Sequence, residues 1–531
     1  MSRVLESEKL AWFVAGVAAA AAAVGVGELL GGLLGGTSII TAIGALVISL
    51  QPPGAKDLMV ALFGTNDKLA LEVLVGSGGL LVGGVLGLVA RRDVRGAIAG
   101  FVAFGIVAFW LLLQDPLNMM FPAGIVAIAA VGGGIITLNW LTVSLQSALS
   151  APAAPASAAP ANAAPASAAP ANLGRRAFLV VGGTFVAVGG VLAVIGRFLG
   201  SQVGGSVNPG TIAVPSPGQT VAPVPPAADF SGAAGLENLS PIIVPNADFY
   251  RIDTRLSTPR IDPATWNVRV HGMVDREVTL TYDQLLAMPL VERYVTIACV
   301  SNEVGGNLVG NAKWTGVSLN SVLESAGVQP GATQLVGRSF DGWTAGFPTA
   351  HLADAGRDAM IAVLMNGEPL PAPHGFPARL IVPGLFGYVS ATKWLTEIEL
   401  TTWEAFDAYW IPLGWAKEGP ILTQSRIDVP AYNASVSAGQ FTVAGVAWAP
   451  TRGISHVEVS LDEGEWHEAE LSQPLSNYAW VQWRAVLDVA AGNHRLAVRA
   501  TDGNGDRQIP ERTPPAPSGA RGYHQIAFRA G

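Results

Sequence analysis

One cysteine, Cys299, stands in a chain of 531 residues. A lone thiol excludes an intramolecular disulfide, a four-thiolate zinc site and an iron–sulfur cluster held by this chain alone. Histidine is scarce and unevenly placed, since all seven lie at or beyond His271. The residues before His271 therefore have no imidazole pair for bis-histidine haem, and no Cys-x-x-Cys-His run offers covalent attachment. Charge is sparse too: 13% of residues are charged and 50% are hydrophobic, a balance that points to membrane spans. The net charge of −8, with no basic stripe, leaves no footprint for nucleic acid.

The hydrophobic excess is concentrated early. Residues 11–35 form an apolar run broken only by Glu28, and further runs occupy 69–90, 97–114, 122–145 and 177–198. Each is long enough to cross a bilayer. A shorter run, Thr37 to Leu50, ends at Pro52-Pro53 and reads as interfacial or re-entrant at about 14 residues. Arg3 and Lys9 precede the first run, Arg91, Arg92 and Arg95 lie between the second and third, and Arg175 and Arg176 precede the fifth. Placing all three basic clusters in the cytoplasm requires five spans, an inside N-terminus and an outside position for everything beyond residue 200. Glu28 and Glu72 are the acidic candidates for an intramembrane role. Met59, Met119 and Met120 are conceivable haem ligands but read as packing residues.

Residues 150–173 repeat Ala, Pro, Ser and Asn, and Gly204 to Pro226 is rich in Pro and Gly. Proline at this density blocks helix and sheet pairing, so both read as extended linkers. Gly174-Arg175-Arg176-Ala177-Phe178-Leu179 resembles a twin-arginine export signal within the chain and equally suits a cytoplasmic anchor for the last span. The first apolar run is too long for a cleavable signal.

Beyond residue 240 the pattern changes. Val291 to Ile297 reads as a strand that gives way, at Cys299, to the polar Val300-Ser301-Asn302-Glu303-Val304-Gly305-Gly306 loop. A lone cysteine is most often a small buried hydrophobe, but this position can also present a soft thiolate to a metal. Thr265 to Gly272 alternates as a strand, Thr281 to Met288 as a short helix, and Ser318 to Ala326 as an amphipathic helix stopped by Gly327. Such interleaving predicts an α+β domain. From Val436 onward, short alternating strands at 440–449, 455–461, 480–487, 495–500 and 524–530, with turns at Asp462-Glu463-Gly464 and Asp502-Gly503-Asn504-Gly505, predict a β-sandwich. Trp448, Trp466, Trp480 and Trp483 read as core or interface, and His456, His467 and His494 lack metal-ligand spacing.

Cys299-Val300-Ser301-Asn302 with Gly305-Gly306, followed by Ala312 to Leu319, resembles the molybdenum-binding core of the sulfite oxidase family. Met365-Asn366-Gly367-Glu368-Pro369-Leu370-Pro371, His374 to Gly384 and Lys393-Trp394-Leu395 add a second block in the same order. The resemblance runs from about Phe249 to the C-terminus. It implies a molybdenum–molybdopterin cofactor, with Cys299 as the protein's metal ligand. His374, Arg379 and Lys393 match positions that hold the pterin's phosphate end, for which a planar guanidinium and a point charge are suited. Ser301 and Asn302 orient the cysteine loop or contact the pterin. In the substrate pocket the pattern frays. Phe249-Tyr250-Arg251-Ile252-Asp253 keeps an arginine, Arg251, for pterin or substrate but lacks the family's Asn-His, and Trp343 stands where a tyrosine is expected. A tryptophan offers no hydroxyl, which weakens sulfite as the substrate.

The expected architecture has three parts: an N-terminal all-α transmembrane region, an α+β sulfite oxidase-like molybdopterin domain and a C-terminal immunoglobulin-like β-sandwich of the dimerisation type. The boundaries are four spans in 1–149, a linker at 150–173, a fifth helix at 174–200, an extracytoplasmic linker at 201–239, the molybdopterin domain at 240–430 and the β-domain at 431–531. The expected function is that of a bacterial membrane-anchored oxidoreductase, catalytic domain outside, performing two-electron oxygen-atom transfer on a small substrate. Its electrons pass singly to or from a separate carrier or membrane partner. The alternatives are a sulfoxide reductase of the periplasmic methionine-sulfoxide reductase type and a non-enzymatic membrane-anchored binding module. The aromatic bridge Trp403 to Trp415 reads as interdomain packing or as a docking patch for the electron partner.

Overall fold

The computed structural model describes residues 2–36, 38–50, 62–63, 67–115, 119–150, 171–200, 212–256, 258–353 and 358–531. The core of the Ala/Pro linker, the start of the second linker, Pro52-Pro53 and Met59 lie outside the described residues. The chain forms two compact units, a helical one of Met1–Ser206 joined by Arg255–Ser257 and a mixed one of Val207–Thr254 and Thr258–Gly531.

In the helical unit, five helices among the described residues are long and apolar enough to cross a membrane: Glu8–Leu33, Lys68–Ala90, Val94–Gln114, Met120–Gln146 and Phe178–Gly200. The run after Thr37 becomes the helix Ile39–Ser49. Its 11 residues reach about 16 Å at 1.5 Å per residue, too short for a span. The last helix begins at Ala171, ahead of the expected boundary at 174. The first helix is central, and glycine lets its neighbours approach it. A Cβ added at Gly16 would lie 2.1 Å from Gly83 O, and one at Gly32 would lie 1.9 Å from Gly196 O. Small residues at such crossings allow backbone-to-backbone packing where apolar burial alone gives helices no preference over lipid. The same helices are tied by charge. Arg197 Nη1 donates to Glu72 Oε2 at 2.6 Å and Nε to Glu28 Oε2 at 3.3 Å. Glu28 also accepts from Ser38 Oγ at 2.7 Å, so the two acidic candidates form one ion-paired cluster. Met119 and Met120 are exposed.

The mixed unit contains two sheets that carry the site and two that form the C-terminal domain. The first sheet runs β2-β1-β10-β5-β6, from Asn267–Gly272 (β1), Val278–Thr281 (β2), Gln334–Ser339 (β5), Thr344–Pro348 (β6) and Leu395–Thr401 (β10). The second runs β3-β4-β7-β8, from Leu290–Ala298 (β3), Val309–Ser318 (β4), Met360–Met365 (β7) and Glu368–Pro369 (β8), with Arg379–Ile381 (β9) beside β7. Two short helices have clear sequence causes. Tyr282–Leu286 starts at a capping box between Thr281 and Gln284. Leu319–Ala326 ends at Gly327, whose φ of 72° suits the left-handed cap position.

In the C-terminal domain, Gln424–Val429 (β11), Gly439–Trp448 (β13), Val481–Val489 (β17) and Glu470–Leu471 (β16) form one sheet, ordered β11-β13-β17-β16. Ser435–Val436 (β12), His524–Ala530 (β19), Gly492–Asp502 (β18), Ile454–Leu461 (β14) and Trp466–Glu468 (β15) form the other, ordered β12-β19-β18-β14-β15. Alternate residues of β18 and β19 are buried, and Val443, Trp483, Val459, Leu496, Val498 and Phe528 meet in one core contributed by both sheets. That is the period-two pattern read in the sequence. The turn after β14 has Asp462 and Glu463 at φ 53° and 60°, a local geometry that short polar turn residues supply.

Of the four tryptophans in this region, Trp448, Trp480 and Trp483 are fully buried, and Trp466 packs edge-on against Tyr523. Trp480 also ties the two parts of the unit together, its Nε1 donating to Ile242 O at 2.9 Å. The aromatic bridge continues that packing. The rings of Tyr388, Trp415, Trp410 and Tyr409 follow one another at centroid distances of 6.0, 6.4 and 5.1 Å.

Candidate active site

Strand β3 ends at Ala298, paired with Val309 of β4, and the loop between them carries Cys299. The thiol is free and buried. The loop is braced from within: Cys299 N–H donates to Leu308 O at 2.9 Å, Asn302 N–H to Cys299 O at 3.0 Å, and Leu308 N–H to Asn302 Oδ1 at 2.8 Å. The Asn302 side chain thus bridges the two ends of the loop. Ser301, half-buried, occupies the turn beside it.

A basic cluster forms on the segment that leads into β9. Gly375, at φ 114°, has Arg379 Cβ and Lys393 Cβ each 3.1 Å from where its own Cβ would be, so only glycine lets these two cationic stems converge. Arg379 is 4% exposed. Its Nη1 donates to His374 O at 3.0 Å, its guanidinium lies 5.1 Å from the Trp314 ring centroid, and its Nε is buried without a hydrogen-bond partner. His374 Nε2 is 3.0 Å from Asn246 O. Lys393 Nζ donates to Asp253 Oδ2 at 2.9 Å and to Pro373 O at 3.0 Å. Arg251 is exposed and donates to the same Asp253 oxygen at 2.9 Å and to Thr258 Oγ1 at 3.0 Å.

The electrostatics of this group are one-sided. Burial, then crowding by Arg379 and Arg251, lowers Lys393 to about 8 despite Asp253. Burial lowers Arg379 to about 10. Burial and then Arg379, Lys393 and Arg251 lower His374 to about 4. His374 is thus neutral in the fold, and its contribution to stability is complete above its unfolded value near 6.5 and is lost as pH falls towards 4. Lys393 and Arg251 share one buried carboxylate, Asp253, while the buried Arg379 donates to a carbonyl, an arrangement that an incoming anion would relieve.

Tyr250 joins this cluster to the cysteine. Burial raises its hydroxyl above the ordinary phenol range, Cys299 raises it further, and Arg379 opposes the shift. Its ring stacks on Phe249 at 5.3 Å, and Phe249 meets His374 and Trp314 edge-on at 5.8 and 5.9 Å. The sequence points to Arg251 in this segment, and the structure adds Tyr250. Here the tyrosine packs against the buried cluster of Phe249 and Trp314, and the neighbouring arginine is exposed. An aromatic residue immediately before the arginine was the available signal.

Trp343 lies half-buried in the turn between β5 and β6. Its N–H donates to Asp341 Oδ1 at 3.2 Å and its carbonyl accepts from Ser339 N–H at 2.9 Å. It belongs to the first sheet, whereas Cys299, Arg379 and Trp314 belong to the second.

Among the described residues, no three His, Cys, Asp or Glu side chains converge as a metal site. A metal at Cys299 would therefore bring most of its ligands with it, as a dithiolene cofactor does. The orphaned Arg379 Nε and the surplus of cations fit the phosphate end of such a cofactor.

Residues 255–410 match the family model described as the oxidoreductase molybdopterin binding domain, and residues 421–514 match the Mo-co oxidoreductase dimerisation domain. Mitochondrial sulfite oxidase of Drosophila melanogaster is 33% identical over 298 residues, covering 47% of this chain and 52% of that protein. Nitrate reductase [NADH] 1 of Oryza sativa subsp. japonica is 29% identical over 309 residues, covering 46% and 34%. Among solved structures, the sulfane dehydrogenase SoxCD from Paracoccus pantotrophus aligns with a TM-score of 0.48 and 21% identity, over 62% of this chain and 96% of that one. The chain spans about half the length of that sulfite oxidase and about a third of that nitrate reductase.

Proposed function

Since the chain belongs to the sulfite oxidase-like molybdopterin oxidoreductases, whose cofactor is molybdenum bound to molybdopterin, we propose that it is a membrane-anchored enzyme with its catalytic domain on the extracytoplasmic face. The single observation that carries the site assignment is the buried Arg379, its Nε unpartnered, set close to Lys393 and Arg251. Cys299 is the protein's metal ligand. Arg379, Lys393 and His374 hold the phosphate end, and Arg251 holds Asp253, which in turn positions Lys393. When bound, the cofactor supplies two-electron oxygen-atom transfer.

The chain's own groups do the rest. The Tyr250 hydroxyl keeps its proton, because burial and Cys299 disfavour the phenolate, and offers a hydrogen bond to a substrate oxygen. It takes the role that Trp343 lacks the chemistry to fill. Phe249, Trp314 and Phe376 belong to one buried apolar cluster beneath the cationic group. Electrons leave or enter singly through a separate carrier or membrane partner. The five apolar helices support the anchor, and the paired sheets support an immunoglobulin-like domain that forms a homodimer. A reductase acting on a sulfoxide of the methionine-sulfoxide type uses the same groups in the opposite direction. The departures from the sulfite-pocket pattern at Ile252-Asp253 and Trp343 keep that reading in view.

The test is molybdenum per chain by elemental analysis, with Mo(V) resonance spectra, on the purified chain and on Cys299→Ser. Near one molybdenum per chain and a spectrum altered by the substitution is the expected result. Well-folded protein without molybdenum, made where cofactor synthesis is intact, would leave only a binding module.

A further inference from the structure

The far corner of the cysteine loop is held from the C-terminal domain. Arg426 Nη1, on β11, donates to Gly306 O at 2.9 Å. That guanidinium is fixed by Asp428, at 2.6 Å from Nε, and by Ser240 Oγ, at 2.7 Å from Nη2. Arg512 Nη2 donates to Val304 O at 3.0 Å. Between these carbonyls stands Gly305, at φ 81°. A Cβ there would fall 2.2 Å from Cδ2 and 2.3 Å from Nε2 of His524, the first residue of β19. The His524 ring is itself oriented, because its Nδ1 accepts the Ile427 N–H at 2.9 Å.

Three consecutive loop residues, Val304, Gly305 and Gly306, are thus each met by a different side chain from a domain more than a hundred residues away in sequence. Loop carbonyls carry two lone pairs and need partners when covered, and hydrogen bonds from charged donors are the stronger kind. The near end of the loop is braced by Asn302 alone among the described side-chain hydrogen bonds within it.

We propose that Arg426, Arg512 and His524 are positioning residues for Cys299, so that the C-terminal domain sets the presentation of the metal's protein ligand as well as serving assembly. The inference rests on the reading of Cys299 as that ligand. Outer groups that fix a ligand's orientation ordinarily tune the metal it binds.

The test uses the full chain with Arg512→Met, which keeps the aliphatic stem and removes the donor, and with Arg512→Lys as the conservative variant. Hydrogen exchange in cofactor-free protein is expected to speed up about tenfold at the 299–308 amides in Arg512→Met, the loss of one charged hydrogen bond. Exchange in β17 stays unchanged, and Arg512→Lys falls between. In loaded protein, molybdenum stays near one per chain while the Mo(V) resonance shifts. His524→Gln, acting on Gly305, provides a second variant with the same expectations. Wild-type loop exchange in both variants would overturn the proposal, and so would faster exchange with an unshifted resonance, since the clamp would then not position Cys299. The two readings separate cleanly: wild type without molybdenum overturns the ligand assignment, whereas the exchange arm alone decides whether the clamp exists.

Discussion

The helical unit holds a half-buried arginine, Arg197, and the mixed unit a buried one, Arg379, and the two are provided for differently. Arg197 meets two carboxylates, Glu28 and Glu72. One of its nitrogens, Nη2, lacks a partner, but its charge is answered within the fold. Arg379 has a carbonyl and an indole face, no carboxylate among its hydrogen-bond partners, and further cations close by. The first arrangement is a finished joint between helices. The second has no such carboxylate, and that contrast is what underlies the proposal of a ligand site at one cluster and a structural one at the other.

Removing each cation sharpens the contrast. Arg197→Met strands a deeply buried Glu28 and is expected to lower stability by about 3 kcal/mol, read as a lower unfolding midpoint of the purified protein in detergent. An unchanged midpoint would mean that Glu28 finds other partners. Tyr250→Phe removes only a hydroxyl, so cofactor loading should persist while turnover falls about ten- to hundredfold, the scale of one hydrogen bond to a charged group. Steady-state kinetics should show this in kcat more than in KM, and full activity would remove Tyr250 from the substrate's contacts.

Arg379→Met should have the opposite sign to Arg197→Met in cofactor-free protein, a gain of about 1 kcal/mol from replacing an uncompensated charge by an apolar side chain. Differential calorimetry on the two variants compares them directly, and a loss at both positions would erase the distinction drawn between the clusters. The smallest effect concerns pH. Lys393 sits near 8 in the free fold, below its ordinary 10.5, so its positive form is lost as pH rises through about 8. Sulfate, whose charge is constant over that range, should stabilise cofactor-free protein below pH 8 and progressively less above it. Lys393→Met should flatten that profile.

Much of this was legible in the sequence because its causes are local. A strand ending at a cysteine, the Thr281 cap, the Gly327 stop and the alternation of β18 are each decided by a few neighbouring residues. The apolar runs that became five long helices needed only length and composition. What escaped depends on distance in sequence or on the direction of a side chain. Tyr250 and Arg251 are adjacent, and only the folded chain shows the tyrosine packed inward and the arginine exposed. Arg197 was missed as the partner of Glu28 and Glu72 because helices far apart in the chain bring the three together. Arg426, Arg512 and His524 carry no local motif, and their roles arise where a sheet edge meets the cysteine loop.

The most direct test of the central claim is molybdenum content per chain in Arg379→Met and Arg197→Met, each purified in folded form beside wild type. The account predicts near one in wild type and in Arg197→Met and a loss of about tenfold or more in Arg379→Met, since a charged hydrogen bond to the cofactor is removed. Full molybdenum in Arg379→Met would contradict the assignment of this cluster as the cofactor's anchor.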